Sequence, residues 1–188
     1  MKSSRTLLLT LALGVLLSQF AMATSPVPGG DFTLTDHQGE PWSLQLARGK
    51  LVLLIFGYTS CPDVCPTSLL TVQQVMRALA DQADSVQPVF VSVDPKRDTP
   101  DVLKKYVGYF HPAMIGLTGE PATLADVCER YRTTCSDSGD TSSSSYVVNH
   151  SSSLYLIDDK GQLASIIPYG TPTDIVIDSV RRFLPAKQ

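Results

Sequence analysis

The sequence predicts a mixed α/β sheet with helices on both faces and a β-hairpin at the N-terminal end. Three observations carry this. Leu51–Phe56 is a continuous apolar run of strand length, as in a strand buried on both faces. Helical segments alternate with such strands through the middle of the chain. Strand pairs around turn signals stand at both ends.

The elements follow in order. Thr24–Gly30 is rich in Pro and Gly and reads as a linker. Asp31–Leu34 and Trp42–Leu44 flank the turn signal Asp36-His37-Gln38-Gly39, which predicts a hairpin. After the Leu51–Phe56 strand, Pro66 to Asp81 carries Leu69, Leu70, Val72, Val75, Met76 and Leu79 near helical spacing. Pro66 is expected at the first helical position, with Cys65 at the N-cap. Gln87–Val93 is a second buried strand. Thr99-Pro100-Asp101 supplies an N-cap, a first-turn proline and a first-turn acid for a helix to Phe110. Ala113–Leu117 is short and apolar, and Pro121–Tyr131 is a further helix. Residues 136–145 are polar and Ser-rich and read as a loop, solvated or acting as a lid or docking loop. Leu154–Ile157 and Leu163–Ile167 are strands joined through Asp158-Asp159-Lys160-Gly161, and Thr171-Pro172 caps a last helix ending near Leu184. There is no internal repeat, so residues 31–188 are expected to form one domain.

Composition excludes several classes of function. The 188 residues are 43% hydrophobic and 18% charged, which rules out a wholly disordered chain. Fifteen Lys and Arg face 18 Asp and Glu, so no strong positive field exists to hold nucleic acid. Four cysteines are too few for a disulfide scaffold. The body has no apolar run long enough for a multi-span membrane protein.

Residues 1–23 read as an address. Lys2 and Arg5 precede the apolar stretch Leu7–Leu17, and Ala21-Met22-Ala23 offers a small-x-small cleavage site. A secretory signal peptide is expected; the rival is an uncleaved anchor, for which Leu7–Ala23 is at the short limit. Either way the body faces an oxidising compartment, periplasmic and soluble or tethered to the inner membrane's outer face. The remaining chain of about 165 residues is long enough for a stable core without staples.

The chemistry concentrates at Cys61-Pro62-Asp63-Val64-Cys65-Pro66, where the first buried strand gives way to the first long helix. Open α/β sheets place ligands at such junctions. The helix N-terminus favours an anion, so one or both thiols are expected to ionise more readily than usual. Three residues separate the cysteines. That loop can close a disulfide, and it also lets two sulfurs converge on one soft metal ion. Two cysteines do not complete a structural zinc site or a cluster, so a third ligand must come from elsewhere. The chain has three histidines. His37 lies in the first turn and reads as solvated; His111 ends a helix and reads as a dipole or loop residue. His150 enters an apolar strand and is either a distant ligand or a satisfied interior histidine.

The segments Phe56–Thr67, Val91–Pro100, Ile115–Gly119 and Val148–Asp158 closely resemble the Sco/SenC family, from about Asp31 to Leu184 and in that family's order. The resemblance implies a thioredoxin-like copper chaperone, exported or membrane-tethered. It implies one copper ion held by Cys61, Cys65 and His150. It implies delivery to the binuclear copper centre of cytochrome c oxidase subunit II, or another exported copper protein, or maintenance of that subunit's cysteines in reduced form. Asp94 matches the family's V-D-P segment and is read as an outer support of the site or a residue capping the Pro95 turn. Three features depart from the family pattern: Asn149 where an aspartate is usual, the Ser-rich loop, and the pair Cys128 and Cys135. In an oxidising compartment that pair reads as a structural disulfide; two buried thiols and a second redox couple are the alternatives.

Two classes of function follow. In the first, the chain binds and transfers copper. In the second, it is a thiol–disulfide oxidoreductase cycling Cys61 and Cys65 with a thiol reductant partner. A distal histidine favours metal, because disulfide exchange has no need of an imidazole.

Overall fold

The computed structural model describes residues 28–137 and 146–184. The expected signal or anchor segment, and most of the Ser-rich stretch, lie outside the described residues.

The main sheet has seven strands in the order β2-β1-β5-β4-β3-β8-β9. The hairpin is β1 (Thr33–Asp36) and β2 (Pro41–Ser43), in antiparallel register. Asp36 Oδ1 accepts from the Gln38 and Glu40 amides and so folds its turn. β3 (Leu51–Gly57), β4 (Val86–Ser92) and β5 (Ile115–Thr118) run parallel at the centre. Helices α1 (Val64–Leu79) and α2 (Pro100–Phe110) make the crossovers that parallel strands require. β8 (Leu154–Ile157) runs antiparallel beside β3, with β9 (Leu163–Ile167) at the edge. Helix α3 (Pro121–Arg130) follows β5, and α4 (Thr173–Phe183) ends the described chain. The mixed sheet with helices on both faces matches the expectation.

β3 explains the two-sided core. All seven of its residues are buried. Leu51, Leu53 and Ile55 face Leu69, Val72, Leu103, Val107 and Val180 of α1, α2 and α4. Val52, Leu54 and Phe56 alternate to the other face, against Leu124, Val127 and Cys128 of α3.

Several expectations are refined. Helix α1 starts at Val64 with Asp63 as N-cap, so Cys65 lies inside the first turn and Pro66 is the third helical residue. The first-turn amides lack intrahelical acceptors, so a proline there costs no hydrogen bond. Pro172, not Thr171, holds the N-cap of α4; the Thr171 hydroxyl donates instead to Pro168 O. Ser136 and Asp137 are not loop. They belong to β6 (Cys135–Asp137), which pairs with β7 (Val148–His150) in a separate two-stranded sheet. The stretch read as linker is partly built into the body: Gly29 N–H donates to Arg130 O, and Tyr131 Oη donates to Gly30 O.

Candidate metal centre

Two adjacent segments and one remote in sequence meet at one end of the sheet. The turn after β3 carries Cys61, whose amide donates to Tyr58 O. The first turn of α1 carries Cys65. β7 carries His150. The side-chain ligand atoms of Cys61, Cys65 and His150 all lie within 4.8 Å of one another. Both thiols are free and buried, and His150 is half-buried. This set could hold a metal ion: two soft sulfurs and one imidazole nitrogen suit copper or zinc better than calcium or magnesium.

His150 Nε2 stands 3.4 Å from Cys65 Sγ, and Nδ1 stands 3.1 Å from Ser151 O. An Nδ1–H donated to that carbonyl leaves the Nε2 lone pair facing the sulfur. Gly57 makes room behind the thiol. A Cβ there would lie 2.7 Å from Cys65 Sγ and 2.9 Å from Phe90 Cε2.

The expectation of readily ionised thiols fails at Cys65. Burial pushes its pKa up, and the neighbouring Cys61 and the Asp98 charge push the same way; the hydrogen bond from the Tyr58 backbone opposes them. Desolvation outweighs the helix N-terminus because Cys65 lies within the first turn, packed in the core, and not at its exposed cap. A metal taking this sulfur must displace its proton.

Asp94 is buried, but its carboxylate reaches the ligands only through other side chains. It accepts from Arg97 Nε and, at 2.5 Å, from Tyr146 Oη. The Arg97 guanidinium lies 3.7 Å from the Tyr146 ring centroid and 5.4 Å from that of Tyr58. Tyr58 in turn meets the His150 ring edge-on, with centroids 5.6 Å apart. Asp98 pins the loop before Cys61: its carboxylate accepts from Thr59 N, Thr59 Oγ1 and Ser92 Oγ. Sequence reasoning did not single out Gly57, Tyr58, Arg97, Asp98 or Tyr146. Only Arg97 and Asp98 carried a signal, as charged residues in the loop beside Asp94.

The other polar candidates lie elsewhere. His37 is not merely solvated; Nδ1 accepts from Gly116 N at 3.0 Å and ties the hairpin turn to β5. His111 caps α2, and its Nδ1 accepts from Ala113 N. Burial and the Arg77 charge lower its pKa, which favours the loop role over a charged dipole partner. Asn149 is exposed and one residue out of phase with His150, so its side chain lies on the opposite face of β7. Cys128 and Cys135 are joined in a disulfide.

A thioredoxin-like sheet with two free cysteines and a distal histidine at its strand ends defines a class of soft-metal and thiol proteins. Within it, the SCO1/SenC family model matches residues 21–185, and the chain belongs to that family. An SCO2-like protein of Rickettsia conorii is 43% identical over 135 residues, covering 71% of this chain and 66% of that protein. The mitochondrial SCO2 homolog of Mus musculus is 37% identical over 168 residues, covering 88% of this chain and 66% of that protein. The chain therefore spans just under two thirds of the length of these relatives. The structure of Bradyrhizobium japonicum ScoI with copper bound aligns with a TM-score of 0.76 at 38% identity, over 84% of this chain and all of that one. No helix among the described residues is long and apolar enough to cross a membrane.

Proposed function

We propose that this chain is a copper chaperone that holds one copper ion through Cys61, Cys65 and His150. It delivers that ion to the binuclear copper centre of cytochrome c oxidase subunit II during oxidase assembly, in the periplasm. The observation that carries this reading is the approach of His150 Nε2 to 3.4 Å from Cys65 Sγ, across 85 residues of sequence. A thiol pair built only for disulfide exchange has no use for that nitrogen. A copper-bound relative at 38% identity supports the choice of metal. Three protein ligands leave a coordination position open, and a delivery protein needs one for exchange with its recipient.

Anaerobic copper titration of the reduced protein tests this. One equivalent is expected to bind, with thiolate charge-transfer absorption in the copper(II) form that His150→Ala removes or shifts. His150→Ala should leave Cys61 and Cys65 able to form a disulfide. No specific copper binding, together with a readily reduced Cys61–Cys65 disulfide, would overturn the reading in favour of a reductase that keeps a partner's cysteines reduced.

A further inference from the structure

The geometry points to a second role for Cys128 and Cys135: their disulfide positions His150 for the metal. This rests on the reading of Cys61, Cys65 and His150 as copper ligands.

His150 is not carried by the main sheet. It ends β7, whose sheet partner among the described residues is β6, and the two strands share three registered pairs. A two-stranded hairpin is marginal in water by itself, so this one must be tied to something firmer. Val148 anchors one end of β7 by burial. At the other end the ties are light: Thr134 N donates to Ser151 Oγ at 3.1 Å, and Ser151 N donates to Thr134 O at 3.3 Å.

The covalent tie falls at the ligand. Cys135 is the residue registered directly opposite His150. Directly opposed residues of an antiparallel pair stand on the same face with neighbouring Cβ atoms. The other half of the bond, Cys128, is 3% exposed on α3, inside the core that also holds Phe56, Val127 and Tyr155. The bond therefore runs from a fixed helix to the strand position across from His150. Cutting it leaves β6 held to α3 by the turn at residues 131–134, where Thr133 N donates to Cys128 O, and by packing of residue 135 on the core, and β7 loses the covalent side of its ladder. His150 then spends part of its time away from Cys65, and affinity falls by the fraction of time lost.

Loss of stability alone does not distinguish this from an ordinary staple, because a disulfide constrains the unfolded chain wherever it sits. The test is a double-mutant cycle. Cys128→Ala/Cys135→Ala removes both sulfurs, so no lone thiol competes for copper. Copper affinity is expected to fall about 10–100-fold, as when the groups supporting a metal ligand are lost. In a His150→Ala background the same pair of changes should cost less than about twofold, since the ligand it positions is gone. Unchanged affinity, or an equal loss in both backgrounds, would overturn the proposal. A metal-free readout keeps it separable from the copper reading. Backbone amides of β6 and β7 should lose hydrogen-exchange protection in the variant while those of β3, β4 and β5 keep theirs; retained β7 protection would refute it. If the wild-type chain takes up no copper, the copper reading fails, and the exchange pattern alone decides whether the disulfide holds β7. Should the alanine pair not fold, Cys128→Val/Cys135→Thr keeps bulk at both positions, and the same cycle and exchange measurements decide.

Discussion

At Gly57 the requirement is space, not backbone freedom. The residue ends β3 directly beneath the Cys65 sulfur, and an added methyl would meet both that sulfur and the Phe90 ring, which are buried. Neither can retreat far in a close-packed core. Gly57→Ala is expected to destabilise the fold by about 1–3 kcal/mol. It should also move Cys65 off His150, weakening copper retention by about tenfold or more. Denaturant unfolding and competition against a copper chelator measure the two effects separately; wild-type affinity in the variant would refute the assigned crowding. Asp98 makes a prediction in pH. Burial raises its pKa, the hydrogen bonds from Ser92 and Thr59 lower it, and the Asp94 charge raises it, with a net upward shift. The native state therefore binds this proton more tightly than the unfolded chain does. Its contribution to stability is full below the ordinary aspartate range and is lost as pH rises through the higher folded value. Asp98→Asn removes that titration, so relative to wild type the variant should gain stability as pH rises above the ordinary aspartate value of about 4. Parallel unfolding curves of the two proteins at each pH check the sign. Neither residue's role is legible in the sequence, because each depends on a neighbour brought in by folding: Phe90 for Gly57, and Thr59 and Ser92 for Asp98.

Local signals decide how much of each element can be read in advance. Helix α2 is legible to the residue, since Thr99, Pro100 and Asp101 together mark its start. Thr99 Oγ1 accepts from Val102 N, as the cap requires. Thr99→Ala should cost about 1 kcal/mol and Thr99→Ser much less, measured by thermal or denaturant unfolding. The β3 strand is legible for a different reason: burial on both faces demands an unbroken apolar run, and Leu51–Phe56 is one. The β6–β7 hairpin lacks both kinds of signal. Its strands are three residues each, and Ser136 and Asp137 belong by composition to a polar loop. What makes them a strand is pairing with Val148 and Asn149, a contact no local propensity encodes. Helix α1 starts two residues before the position that Pro66 suggests, for a similar reason. A proline fits any position of the first turn, so Pro66 alone does not locate the cap at Asp63.

Across the whole molecule, the candidate histidine ligand is separated in the chain from the two cysteines and joined to them only by the fold. Cys61 and Cys65 leave the C-terminal end of β3, and the loop after β4 brings Asp94, Arg97 and Asp98 alongside. The Val93 amide donates to Gly57 O at 2.8 Å and closes these two loops on each other. His150 arrives from a strand outside the main sheet. The two cysteines are legible because they are neighbours in sequence; the histidine stands out only through the family resemblance, since position alone leaves it open between ligand and core residue. The unfolded chain holds the thiols close together but leaves the imidazole 85 residues away, so a three-ligand site is a property of the native state. Copper must then stabilise folding by mass action. At free copper about 100 times the dissociation constant, the gain is about 2.7 kcal/mol. For a domain of this size that corresponds to a rise in Tm of about 5–10 °C. The rise should appear with the reduced protein, shrink in His150→Ala because the unfolded chain retains the same two thiols, and vanish once Cys61 and Cys65 are joined as a disulfide. Thermal unfolding of the three samples with and without copper measures it. An equal shift in the oxidised protein would place the stabilising metal somewhere other than these residues.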